Sequence, residues 1–156
     1  MTTAPAIGQP APGVSLPNAD GTTLALADLK GQPVVLYFFP KADTGTCLKQ
    51  AQALTALAPQ FAAADAQVIG ISKDSVKKQT RFREKNALEV TFLSDEGADT
   101  VERFGVWVEK SMYGKAYMGI ERSTFLIAAD GTIARIWRNV KVDGHAQEVL
   151  DAVRAL

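Results

Sequence analysis

Two apolar runs constrain this chain more than anything else in it. Pro33 to Phe39 (PVVLYFF) and Ala66 to Ser72 (AQVIGIS) carry no charge and are rich in β-branched and aromatic residues. Runs of that length and composition read as strands covered on both faces. Between them, from about Thr46 to Ala64, an alanine-rich segment sets Leu54, Leu57 and Phe61 at helical spacing, and Pro59 predicts a kink or a break into two helices. Further on, Asp74-Ser75 suits the start of a helix running to about Asn86. Val90 to Leu93 reads as a short strand, and Gly97 to Phe104 as a short helix.

The two ends of the chain complete the pattern. Val14 to Leu16 and Thr22 to Leu26 flank Asn18-Ala19-Asp20-Gly21, which predicts an N-terminal β-hairpin, followed by a turn of helix over Ala27 to Gly31. Thr124 to Ala128 and Thr132 to Trp137 enclose Ala129-Asp130-Gly131, a second hairpin signal. Val149, Leu150, Val153 and Leu156 stripe a terminal helix from Asp143. Alternating strands and helices closed by a hairpin and a helix predict an α/β fold, a central mixed β-sheet flanked by helices on both faces. No repeat, low-complexity tract or linker divides residues 1–156, so a single domain is expected.

Charge and cysteine content narrow the function. Seventeen basic and 17 acidic residues balance to a formal charge of zero, which offers no long-range attraction to nucleic acid or an anionic membrane. No stretch approaches the roughly 20 apolar residues that span a bilayer. MTTAPAIGQPAPG at the N-terminus lacks the basic patch and apolar core of a secretory signal, and one cysteine excludes an intrachain disulfide. Together these predict a cytoplasmic, reducing setting.

That one cysteine, Cys47, follows the first apolar run within Pro40-Lys41-Ala42-Asp43-Thr44-Gly45-Thr46-Cys47. Unpaired cysteine is often a small, inert, buried hydrophobe. The polar neighbours Lys41, Asp43, Thr44, Thr46, Lys49 and Gln50 instead predict a position on the surface or in a cleft. In α/β sheets, ligands bind at the loops beyond strand C-termini. Cys47 lies on such a loop and reads as a nucleophile in the first turn of a helix.

The segment YFFPKADTGTCLKQA, Tyr37 to Ala51, resembles the peroxidatic loop of peroxiredoxins: proline, three residues, threonine, two residues, cysteine. Pro40, Thr44 and Cys47 match position for position. Phe104 to Ile127 (FGVWVEKSMYGKAYMGIERSTFLI) resembles the peroxiredoxin Q, or bacterioferritin comigratory protein, subfamily, with Arg122 in the place of its active-site arginine. The similarity runs from about Gly8 to the C-terminus. It implies a thioredoxin-like fold of the peroxiredoxin type, reduction of hydrogen peroxide and organic hydroperoxides without metal, haem or flavin, and a monomer or weak dimer.

Under that resemblance Cys47 is the peroxidatic nucleophile. A free thiol ionises near pH ~8.5, so attack at neutral pH requires surroundings that favour the thiolate. The first turn of a helix and the permanent charge of Arg122 supply them. Arg122, the Thr44 hydroxyl and the backbone N–H groups of Thr46 and Cys47 are expected to donate to the developing alkoxide. Thr44 also suits the helix N-cap, and Pro40 is expected to shape the loop and limit water around the sulfur.

The chain departs from the pattern in two places. Gly45-Thr46 stands where many members have Pro-Gly, and Gln52 stands where many carry a resolving cysteine. Asp74 to Asn86, the other common location, contains none either. The expected cycle therefore uses one cysteine and an external thiol, glutathione or a thioredoxin-type protein. The rival from another class is a redox sensor that forms mixed disulfides with partners. His145, the sole histidine, reads as a surface residue at a helix start rather than a metal ligand. Trp107, Met112, Tyr113, Tyr117 and Met118 read as packing, with some lining the peroxide entrance.

Overall fold

A computed structural model describes residues 5–18 and 21–156. Its centre is a five-stranded mixed sheet in the order β5-β4-β3-β8-β9. The first apolar run forms β3 (Val34–Phe38) and the second β4 (Gln67–Ser72). They pair in parallel, and β5 (Thr91–Ser94) continues the parallel half. On the other side of β3, β8 (Ser123–Ile127) and β9 (Ile133–Trp137) run antiparallel as the predicted hairpin, closed by Gly131 at φ 90°.

The sheet divides the core into two. Every residue of β3 is buried, and its period-two alternation sends Val35 and Tyr37 to one face and Val34, Leu36 and Phe38 to the other. The first face is covered by α1 (Gly45–Ala56), α2 (Ala58–Ala63), α3 (Val76–Lys85) and α5 (His145–Arg154), through Leu54, Phe61, Phe82 and Val149. The second is covered by the N-terminal hairpin of β1 (Ser15–Pro17) and β2 (Thr23–Ala25), and by α4 (Thr100–Arg103). Val14, Leu16, Val101 and Phe104 fill that side. Helices thus lie on both faces, unequally. The predicted Asp20-Gly21 turn includes Ala19 and Asp20, outside the described residues.

Pro59 acts as expected. Its missing N–H is harmless in the first turn of a helix, so α1 ends at Ala56, with Leu57 as its C-cap, and a new helix starts around the proline. Ser75 caps α3 by accepting from Lys78 N–H at 3.2 Å. Where packing was expected there is a separate hairpin, β6 (Trp107–Met112) and β7 (Lys115–Ile120). Its two-residue turn, Tyr113-Gly114, has φ 52° and 78°, the doubly positive geometry of a tight hairpin turn. Met112, Tyr113, Tyr117 and Met118 are exposed on it, which corrects their reading as packing, whereas Trp107 does pack, partly buried, against the second core.

Candidate active site

β3 and β4 are parallel neighbours, so the loops leaving their C-terminal ends emerge side by side. The first carries Pro40 to Thr44 into α1. Asp43 takes φ 67°, a left-handed conformation that aspartate tolerates better than most residues. The helix then begins at Gly45, and Leu48 N–H makes the earliest helical bond, to Thr44 O at 2.9 Å. Thr46 and Cys47 precede that bond, so their amides belong to the first turn, whose donors lack partners within the helix.

Cys47 is buried, 2 % exposed, among Tyr37, Phe39, Ala51 and Val149. Polar neighbours in sequence had predicted a surface or cleft position. The difference is helical: Cys47, Gln50, Ala51 and Leu54 share the inward face of α1, while Thr46 and Lys49 point away. The residue just before β8 meets this face. Arg122 Nη2 donates to Cys47 Sγ at 3.3 Å, and Nη1 donates to Gln50 Oε1 at 2.6 Å.

Gln50 was read only as a polar neighbour, although its offset of three from Cys47 places both on one helical face. It is 2 % exposed. Among the described residues, Gln50 Nε2 and Tyr37 Oη are buried without hydrogen-bond partners. Burial, reinforced by Cys47 and opposed by Arg122, pushes the ionisation of Tyr37 far above the usual phenol range. Lys110 on β6 crosses the bare backbone of Gly119, where a Cβ would meet its Cδ at 3.2 Å. Desolvation and then Arg122 lower its pKa, while Cys47 and Glu121 act against them.

His145 is not a surface residue. It is 6 % exposed, its Nε2 lies 2.9 Å from Thr124 Oγ1, and Trp137 meets its ring edge to face. Burial holds its pKa below 6.5, Glu148 opposes this and Arg122 adds to it. Thr44 occupies the N-cap position, but its side chain does not cap α1. Its Oγ1 instead donates to Lys41 O at 3.1 Å. Pro40 is half-buried at the end of β3, and Gln52 is exposed on α1.

A cleft of about 580 Å³ lies at the opposite, N-terminal edge of the parallel strands, lined by Gln32, Thr55, Pro59, Gln67 and Thr91. Its lining contains no thiol. A buried thiol at a helix start, held by a guanidinium that is itself held by a buried amide, is the chemically equipped site.

The comparisons with known proteins converge on the same chemistry. The AhpC/TSA family model matches residues 7–136. Peroxiredoxin Bcp of Escherichia coli (strain K12) is 45 % identical over 144 residues, covering 92 % of each chain. The crystal structure of a mutant PrxQ from Xylella fastidiosa is similar with a TM-score of 0.92 at 38 % identity, covering 98 % of each chain. The bacterioferritin comigratory protein of Xanthomonas campestris, studied for alkyl peroxide reduction, gives 0.86 at 39 % identity, over 91 % of this chain and 90 % of that one. The chain therefore belongs to the AhpC/TSA family and is a thiol peroxidase of the peroxiredoxin Q, or Bcp, type.

Proposed function

We propose that Cys47 reduces hydrogen peroxide and alkyl hydroperoxides by a one-cysteine cycle completed by an external thiol. The observation that carries this is the Arg122 Nη2 to Cys47 Sγ contact of 3.3 Å in a chain with a single cysteine. At that distance the guanidinium donates directly to the reacting sulfur. The thiolate attacks the distal oxygen of ROOH: an S–O bond forms, the O–O bond breaks, and the departing alkoxide takes a proton to leave as ROH. Arg122 and the first-turn amides of Thr46 and Cys47 stabilise the charge that develops on the departing oxygen.

Thr44 has a different part from the one expected. Its hydroxyl proton is engaged by Lys41 O, which leaves its oxygen to accept the peroxide O–H. Pro40 closes the end of β3 beside the loop and gives it a fixed φ.

The second half of the cycle uses a thiol from outside the chain. It attacks the Cys47 sulfenic sulfur, an S–S bond forms, and the hydroxyl leaves with the thiol proton as water. A second thiol then displaces Cys47 as thiol, and the reductant leaves as its disulfide. Glutathione or a thioredoxin-type protein has this chemistry. A reducing cytoplasm and a monomer, or weak dimer, as the working unit complete the reading, supported by the lone thiol and by the resemblance. Peroxide consumption under excess glutathione or dithiothreitol tests it: turnover that persists in Cys47→Ser contradicts the assignment.

A further inference from the structure

Among the described residues, one carboxylate supplies a partly buried hydrogen bond that ties the catalytic loop to the rest of the fold. Phe39 N–H extends the β3–β4 ladder to Ile71 O at 3.1 Å. Past that point a side chain takes over, and Ala42 N–H donates to Asp74 Oδ2 at 2.6 Å across 32 residues of sequence. Such a bond to an ionised acceptor is roughly twice as strong as a neutral one. Asp74 is itself tied down. Ser72 Oγ donates to the same Oδ2 at 2.8 Å, and Ser94 Oγ donates to Asp74 O at 2.6 Å. Gln79 Nε2 reaches both Ser72 Oγ and Leu93 O at 2.9 Å. Ser72, Gln79 and Ser94 are buried, so the fastening point is rooted in β4, β5 and α3.

Besides that bond, the described residues hold the loop by the partly buried Ala42 side chain against the core and by one weak ion pair. Lys85 Nζ stands 3.7 Å from Asp43 Oδ1 between two exposed side chains, a pair of little worth in water. The next element offers little more resistance, since α1 starts with glycine and without a side-chain cap. Release of Ala42 therefore frees the segment that leads directly into Cys47.

Cys47 has two kinds of visitor under the function proposed above, on which this inference rests. A peroxide is small and requires the closed, preorganised loop. An external thiol must reach a sulfenic sulfur on Cys47, whose side chain is only 2 % exposed in this arrangement. We propose that Asp74 is a positioning residue that latches the Pro40 to Thr44 loop, favouring the peroxide half-reaction and restraining the thiol half-reaction. The two half-reactions then respond to the latch with opposite signs. A residue serving stability alone slows both.

Rapid mixing separates them. The second-order rate of hydrogen peroxide with the reduced protein gives the first, and that of glutathione with freshly formed sulfenic acid gives the second. Asp74→Ala is expected to slow the first about tenfold, the loss of a charge-assisted bond, and to speed the second several-fold. Asp74→Asn, which keeps an acceptor, is expected to fall between wild type and Asp74→Ala on both. In the unmodified protein the Ala42 amide is expected to exchange with solvent more slowly than that of Asp43. Both rates falling together, both staying unchanged, or fast exchange at Ala42 in the wild type would each overturn the latch. Sulfenic acid that forms normally while these results fail sinks the latch alone; no sulfenic acid in the wild type sinks the underlying function as well.

Discussion

Arg122 and Gln50 are 72 residues apart in sequence, and Arg122 Nη1 donates to Gln50 Oε1 at 2.6 Å. The bond lies less than one helical turn from Cys47 and fixes the plane of the guanidinium whose other nitrogen meets the sulfur. Arginine suits this task because its two donors diverge from a rigid fork.

Arg122→Ala removes both bonds. The second-order rate with hydrogen peroxide is expected to fall by about 10²-fold or more, in line with the loss of a preorganised donor. Arg122→Lys restores the charge without the fork and is expected to recover only a small part. Stopped-flow fluorescence of Trp107 or Trp137 follows the reaction; an unchanged rate in Arg122→Ala removes that residue from the site.

Gln50→Leu leaves the Arg122 guanidinium without its acceptor in a buried place. A loss of about 1–3 kcal/mol of stability is expected, together with a slower reaction with peroxide. Gln50→Glu keeps an acceptor and is expected to retain more of the rate. Chemical denaturation and stopped-flow mixing report the two effects. Equal rates for the leucine and glutamate variants would contradict a positioning role.

Gly70 faces Tyr37 across the β3–β4 pair. A Cβ at Gly70 would sit 2.8 Å from Tyr37 Cζ and 2.9 Å from its Oη, so the ring must shift inside a packed core. Gly70→Ala is expected to cost about 1–3 kcal/mol. Tyr37→Phe, which removes a buried hydroxyl without a partner, is expected to leave stability level or raise it. Thermal melts test both, and a harmless Gly70→Ala would contradict the close approach.

His145 gives stability a pH dependence. Its folded pKa is depressed below 6.5, so the unfolded chain takes up the proton first as pH falls. Its contribution is intact above pH 6.5 and is lost progressively as pH falls towards the folded value. Glu121 has a separate window. Hydrogen bonding from Arg138 holds its pKa below 4.5, so its contribution is present above 4.5 and is lost at lower pH. His145→Gln is expected to flatten the stability profile between about pH 7 and 5. As His145 is the only histidine, one imidazole proton resonance reports its titration directly. A midpoint at or above 6.5 contradicts the assigned burial.

The sheet was legible where side chains obey a strict period or uniform burial. PVVLYFF and AQVIGIS are covered on both faces, and Pro59 is a break that no packing overrides. The β6–β7 hairpin was not, since its strands carry exposed Lys115, Tyr117 and Met118 and its turn uses tyrosine where asparagine or aspartate is the usual sign. In the site, Cys47 and Thr44 follow from the spacing of the loop motif, and Arg122 from the resemblance to peroxiredoxin Q. His145 was misjudged and the second contact of Asp74 was not visible, because each involves a distant segment. Asp74 reads locally as a helix-start residue, yet its carboxylate serves Ala42. His145 opens α5, and only docking of that helix buries it against Thr124 and Trp137.

Intact-mass analysis after one equivalent of hydrogen peroxide, with and without glutathione, reads the one-cysteine cycle at Cys47 itself. One added oxygen is expected on the wild-type chain, with conversion to a glutathione mixed disulfide when the thiol is present and neither product in Cys47→Ser. An unmodified wild-type chain, or the same oxygen on Cys47→Ser, would contradict that cycle.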